Sequence, residues 1–142
     1  TSLAASLLTP TRIYVKPVLA AMRATGGSGP EGAIKALAHI TGGGLSENVP
    51  RVLPDQIGAE IDLGAWVPPA VFGWLKTAGN LDDAEMLRTF NCGLGMVLVV
   101  DPDEVEKHLA VIEKGNIAAR VVGTVVPREG GGAVRYVGEL RV

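Results

Sequence analysis

Residues 34–55, IKALAHITGGGLSENVPRVLPD, carry the reading that decides the fold. Ile34 to Ile40 is a short apolar run, of the length and composition of a buried strand. It feeds directly into Thr41-Gly42-Gly43-Gly44. Ser46 is positioned to cap a short helix carrying Val49, Val52 and Leu53, with Pro50 tolerated in its first turn and Pro54-Asp55 ending it. A strand that passes through glycines into a helix is the repeating unit of an α/β domain.

Working downstream, Gly58 to Leu63 alternates apolar and polar residues and reads as a half-buried strand. Pro68-Pro69 opens a helix with Val71, Phe72, Trp74 and Leu75 on its apolar side, closed by Gly79-Asn80. Asp82 and Asp83 start a short helix through Met86 and Leu87, where acidic residues suit the helix dipole. Gly93 to Val100 is a second buried strand. Asp101-Pro102 caps a helix to about Lys114 that turns Val105, Leu109 and Ile112 inward and stops at Gly115. Ala118 to Val126 and Ala133 to Leu140 read as two strands joined through Gly130-Gly131-Gly132, with the spacing of a hairpin. Upstream, Thr9 and Pro10 suit the N-cap and first residue of a helix whose stripe is Ile13, Val15, Val18, Leu19 and Met22. Pro17 should kink that helix or delay its start. Gly26 to Pro30 is a loop. The sum is one α/β (α+β) domain over residues 1–142, a mixed β-sheet flanked by helices, with a short lead-in over residues 1–9.

Composition narrows the function. The chain has 142 residues, 47% hydrophobic and 20% charged, which belongs to a globular protein and excludes disorder. Aromatics make up only 4%, so aliphatic side chains must fill the core. The net charge of −2 and the dispersed Lys and Arg give no basic stripe for nucleic acid. The longest apolar stretch, Met96 to Val100, is too short for a membrane span. The single cysteine, Cys92, excludes an internal disulfide. The start lacks both an initiator Met and the pattern of a signal peptide, and reads as a cut inside a longer protein.

Among candidate sites, the glycine run stands out. Three residues without Cβ let backbone N–H groups approach an anion, and a helix start adds positive character. A tight turn that needs glycine geometry explains the same pattern equally well. The loop lacks the Lys and spacing of a phosphate-binding P-loop or a dinucleotide loop. His39, at the end of the apolar strand, adjoins this loop. A lone His there is commonly structural, but its place suits proton transfer or phosphate contact. Asn91 precedes the second buried strand, where strand ends face ligand crevices. Cys92 has no neighbouring base and reads as a small buried residue. His108 reads as a surface residue, Trp66 and Trp74 as packing anchors. Arg12, Tyr14 and Lys16 suit either a cleft or an ordinary surface. Asp82, Asp83 and Glu85 are explained by their helix start without a metal.

Four stretches together resemble AIR synthetases (phosphoribosylformylglycinamidine cyclo-ligases). They are LLTPTRIYVKPVL at residues 7–19, AHITGGGLSENVPRVLPD at 38–55, VFGWLKTAGN at 71–80 and EMLRTFNCGLGMVLVV at 85–100. They occur in the family's order and spacing, and the resemblance weakens after about Ile117. The longer Gly-rich loop at 26–30 and the Gly-rich tail loop depart from the family pattern.

The resemblance implies an AIR synthetase C-terminal domain-like fold. This domain would be completed by an N-terminal ATP-binding domain of the same enzyme, which supplies most of the ATP and Mg2+ site. The implied activity is ATP-dependent ring closure of formylglycinamidine ribonucleotide to aminoimidazole ribonucleotide in purine synthesis. Site residues carried over are Thr41, Gly42, Gly43, Gly44 and Asn91 for substrate or phosphate, with His39 as the catalytic candidate and no metal ligand in this domain. The full enzyme is expected to be a homodimer in the cytoplasm, or in the plastid of a plant or alga. Two other readings are an ATP-using relative of the selenophosphate synthetase or thiamine-phosphate kinase type, and a non-catalytic binding module.

Overall fold

The structure, a computed structural model, describes residues 2–142. Its elements run α1 (Leu3–Leu7), α2 (Val15–Ala24), β1 (Ile34–His39), α3 (Gly44–Asn48), β2 (Ile57–Asp62), α4 (Ala70–Gly79), α5 (Asp83–Thr89), β3 (Met96–Val100), α6 (Val105–Glu113), β4 (Gly123–Pro127) and β5 (Val134–Val137). Short 3-10 turns at Pro50–Val52 and Pro102–Glu104 lie between.

The strands form two sheets. β1 pairs with β3 antiparallel, setting Leu37 opposite Leu98 and His39 opposite Met96. β2 is the centre of a three-stranded mixed sheet, antiparallel to β4 and parallel to β5. The final two strands therefore do not pair as the hairpin that their spacing suggests. β2 lies between them, and the segment after Pro127 crosses its end. Val134 and Tyr136 thereby pack against the core that contains Ile61 and Leu63. A direct hairpin would leave at least one edge of β2 without its partner.

The core joins β1, α3, β2 and α5 through Ala38, Ile40, Leu45, Val49, Ile61, Met86 and Leu87. Trp66 is buried among them and donates its indole N–H to the Cys92 carbonyl at 2.9 Å. Trp74 is 46% exposed and anchors nothing, because α4 lies at the edge with none of its residues fully buried.

Local signals explain the helix ends. Asp82 caps α5 by accepting from the Glu85 N–H at 2.8 Å, and Asn80 closes α4 in the left-handed region. α2 begins at Val15, so Pro17 delays it and then sits in its first turn, where no intrahelical N–H is needed. The lead-in forms its own short helix, α1, capped by Ser2, and Thr9-Pro10 starts none. α3 starts at Gly44, earlier than a Ser46 cap requires, because Gly43 at φ 95 turns the chain into it.

α2 and α6 pack on each other through a polar contact. His108 is buried, and its Nε2 lies 3.0 Å from the Thr25 hydroxyl. Its Nδ1 donates to the Glu104 carbonyl at 2.7 Å, since a carbonyl only accepts. The surface position expected from the helical pattern is thus wrong for His108, which faces α2 rather than solvent.

Candidate functional site at the glycine loop

The antiparallel β1–β3 pair brings the end of one strand beside the start of the other. The Ile40 N–H donates to the Gly95 carbonyl at 2.9 Å. The Thr41–Gly44 loop therefore leaves the sheet next to the Asn91–Gly95 turn. Two motifs far apart in the sequence become neighbours at one strand end.

Gly44 makes the contact close. It is buried at φ +58, and a Cβ there would fall 2.7 Å from the Phe90 carbonyl oxygen and collide with the Leu87 carbonyl. Gly42, by contrast, is exposed and has no positive φ, and a Cβ added to it would meet nothing within 4 Å. Gly43 is intermediate, with φ +95 and the Glu47 side chain beside it.

Asn48 holds the loop. It is only 5% exposed, and its Nδ2 donates toward three carbonyls: Thr41 at 3.3 Å, Gly42 at 3.2 Å and Gly44 at 2.8 Å. Its Oδ1 accepts from Arg51 Nη1 at 3.2 Å. No peptide bond among the described residues is cis. In a trans peptide the N–H points opposite to the C=O. With the carbonyls of residues 41, 42 and 44 turned toward Asn48, the N–H groups of Gly42, Gly43 and Leu45 turn away from it. Among the described residues these three N–H groups meet no acceptor, whereas the Gly44 N–H donates to the Thr41 carbonyl at 3.0 Å. Leu45 is fully buried, so of the three only the Gly42 and Gly43 N–H groups, from successive peptides of the exposed part of the loop, are open to an oxyanion. α3 has five residues, so the peptides of the loop, and not a helix dipole, supply this character.

The other expected residues fall around this loop in different roles. His39 is exposed, on the strand face opposite Ala38 and Ile40. Its ring stands edge-on to Tyr14, with centroids 6.2 Å apart. Both line a shallow, largely apolar hollow of about 430 Å3 with Arg12, Val18, Leu19 and Met96. Asn91 is half-buried, and its Oδ1 accepts from the Gly93 N–H at 2.9 Å, so its carboxamide builds the turn into β3.

Cys92 is fully buried at φ 47, with its thiol facing the Met86 carbonyl at 3.5 Å. Burial, helped by the nearby Asp83 charge, pushes its pKa up to about 11. It is no nucleophile at neutral pH. Of the acidic residues, Asp83 pairs with Lys76 at 2.6 Å. Hydrogen bonds from Thr89 and Arg88 hold the Glu85 carboxyl below its usual pKa. Among the described residues no group of three or more His, Cys, Asp or Glu side chains could hold a metal ion.

Asn48 and Gly95 were not singled out from the sequence. The available cue for Asn48 was a polar residue between Leu45 and Val49, both apolar, one helical turn beyond Gly44.

The strands, flanking helices and open glycine loop define a mixed α/β domain. Residues 1–135 match the family described as AIR synthase related protein, C-terminal domain, and the chain belongs to that family. Among solved structures it is similar to E. coli HypE, at 28% identity and a TM-score of 0.64, with 99% of this chain covered. The match covers 42% of the HypE chain, so the present chain spans less than half of that protein's length. No helix among the described residues is long and apolar enough to cross a membrane.

Proposed function

We propose that this chain is the C-terminal domain of a phosphoribosylformylglycinamidine cyclo-ligase. In that reading an N-terminal domain of the same enzyme binds most of the ATP and Mg2+, and the whole acts as a homodimer in the cytoplasm or a plastid. The observation that carries the proposal is the Asn48-held loop, which sits inside AHITGGGLSENVPRVLPD and against TFNCG. Those two sequence words are the ones most specific to the cyclo-ligases.

The chemistry asked of the enzyme is activation of an amide oxygen by the ATP γ-phosphoryl group. A nitrogen of the same substrate then attacks that carbon, and phosphate leaves. Such a reaction depends on positioning and charge neutralisation more than on a protein nucleophile. In this domain the Gly42 and Gly43 N–H groups would hold a phosphate oxygen. Thr41 lies beside them at the loop's entrance. His39, exposed at the strand end, would hold or move a proton.

The likeness to HypE favours a second reading, in which the parent enzyme is a different ATP-using member of the family. The two separate in one assay. The full-length enzyme is incubated with ATP and Mg2+, and conversion of ATP to ADP or AMP is followed with formylglycinamidine ribonucleotide, selenide or thiamine phosphate. Stimulation by the ribonucleotide alone is expected, and this domain by itself should give no turnover. Stimulation by either of the others, with none by the ribonucleotide, overturns the proposal.

A further inference from the structure

We infer that Tyr14 is a positioning residue for His39, and that Gly95 is glycine in order to seat it. The inference deepens the proposed function, and its catalytic consequence rests on that reading.

His39 is exposed, and among the described residues no hydrogen bond fixes its ring. A histidine in that state turns freely about χ2. One neighbour restricts it. The Tyr14 ring meets it at 66° with centroids 6.2 Å apart, an edge-to-face geometry within the favourable range. Tyr14 is itself anchored at both ends. Its backbone caps α2, where its carbonyl accepts from the Val18 N–H at 3.0 Å. Its hydroxyl end lies over Gly95: a Cβ on that glycine would sit 2.8 Å from Tyr14 Cζ and closer still to the hydroxyl oxygen.

Gly95 does not need to be glycine for its backbone. It is absent from the positive-φ residues, unlike Gly93 two positions earlier. It is buried, and its carbonyl accepts the Ile40 N–H, so it is an ordinary residue at the start of a strand pairing. Space for Tyr14 is what the missing side chain provides. Gly95, Tyr14 and His39 thus form a stack in which the strand backbone supports one ring and that ring supports the other. The stack forms a wall of the hollow that Arg12 and Met96 also line.

The test uses the full-length enzyme with 13C-labelled histidine, the His39 ring signal being assigned by its loss in His39→Gln. Tyr14→Leu should move that signal through loss of the ring current and lower kcat about three- to tenfold, with KM nearly unchanged. Tyr14→Phe keeps the ring and should keep both the signal and kcat. Gly95→Ala should reproduce Tyr14→Leu, and combining it with Tyr14→Phe should recover part of the loss, because the crowding hydroxyl is gone. Circular dichroism confirms that each variant is folded. An unmoved His39 signal in folded Tyr14→Leu overturns the inference. A moved signal with unchanged turnover in Tyr14→Leu shows that the contact is made but that it does not position His39 for catalysis, and overturns the inference.

Discussion

The three consecutive glycines should fail in three different ways when a methyl group is added. At Gly44 the backbone is left-handed, which costs an alanine roughly 1–2 kcal/mol. The added Cβ also meets the carbonyls of Leu87 and Phe90, which are backbone at the end of α5 and cannot swing aside. Overpacking of that kind adds roughly 1–3 kcal/mol. Gly44→Ala should therefore lose about 2–5 kcal/mol. Gly43→Ala shares the positive φ, and its Cβ meets both the Glu47 carboxylate, which can move, and the Glu47 Cβ at 2.8 Å, which moves only with α3, so roughly 2–4 kcal/mol is expected. Gly42→Ala has neither problem and should leave stability within about 0.5 kcal/mol. Its Cβ, however, would stand in the open space where the proposed function brings the phosphate. Urea denaturation of the full-length enzyme gives the stability order, and steady-state kinetics of the same proteins gives the activity order. The two orders should be opposed: Gly42→Ala stable with KM for the ribonucleotide raised at least tenfold, Gly44→Ala unstable. If Gly42→Ala leaves both kcat and KM at the parental values, the loop is a plain turn and the ligand site is elsewhere.

Two further outcomes rest on buried polar groups. Asn48→Asp replaces a donor to three carbonyls by an acceptor facing them, and should cost about 2–4 kcal/mol in urea denaturation, whereas a loop that needed no tether would show a loss below about 0.5 kcal/mol. Burial raises Cys92 from its ordinary 9.0 to about 11, so the folded state keeps a proton that the unfolded chain has released. Stability from this group is whole below pH 9 and is lost as pH rises toward 11, by up to roughly 2–3 kcal/mol. Cys92→Ala should flatten that part of the pH–stability curve while keeping most activity, and the thiol should react with a disulfide reagent at about pH 8 only on unfolding.

Most of the elements were legible because their signals are local. Asp82 announces α5, Asn80 ends α4, and the unbroken run from Met96 to Val100 is a strand under any reading. What was not legible depends on contacts between distant residues. His108 sits on a helix whose pattern is amphipathic by residue type, and nothing local says that Thr25 waits at the end of α2 to bond its ring. The loop was visible as three glycines, yet its orientation is set by Asn48, a residue whose type alone suggests solvent. Likewise, the proximity of TFNCG to the glycine loop comes from the antiparallel register of β1 and β3 and from the seating of Gly44 on the end of α5. Tyr14 suited either a cleft or an ordinary surface, and the reason for Gly95 emerges only when the two are in contact.

The position of β2 between β4 and β5 also bears on how the chain reaches its native state. β4 and β5 are close in sequence, so closing the short loop between them is entropically cheap and fast. The native partner is far away: Glu60 on β2 pairs with Arg135 on β5 across 75 residues. Non-local pairings of that kind form slowly. The local hairpin, which the native sheet rejects, is therefore a competitor during folding. A chain that forms it first must open it again before β2 can take its place at the centre.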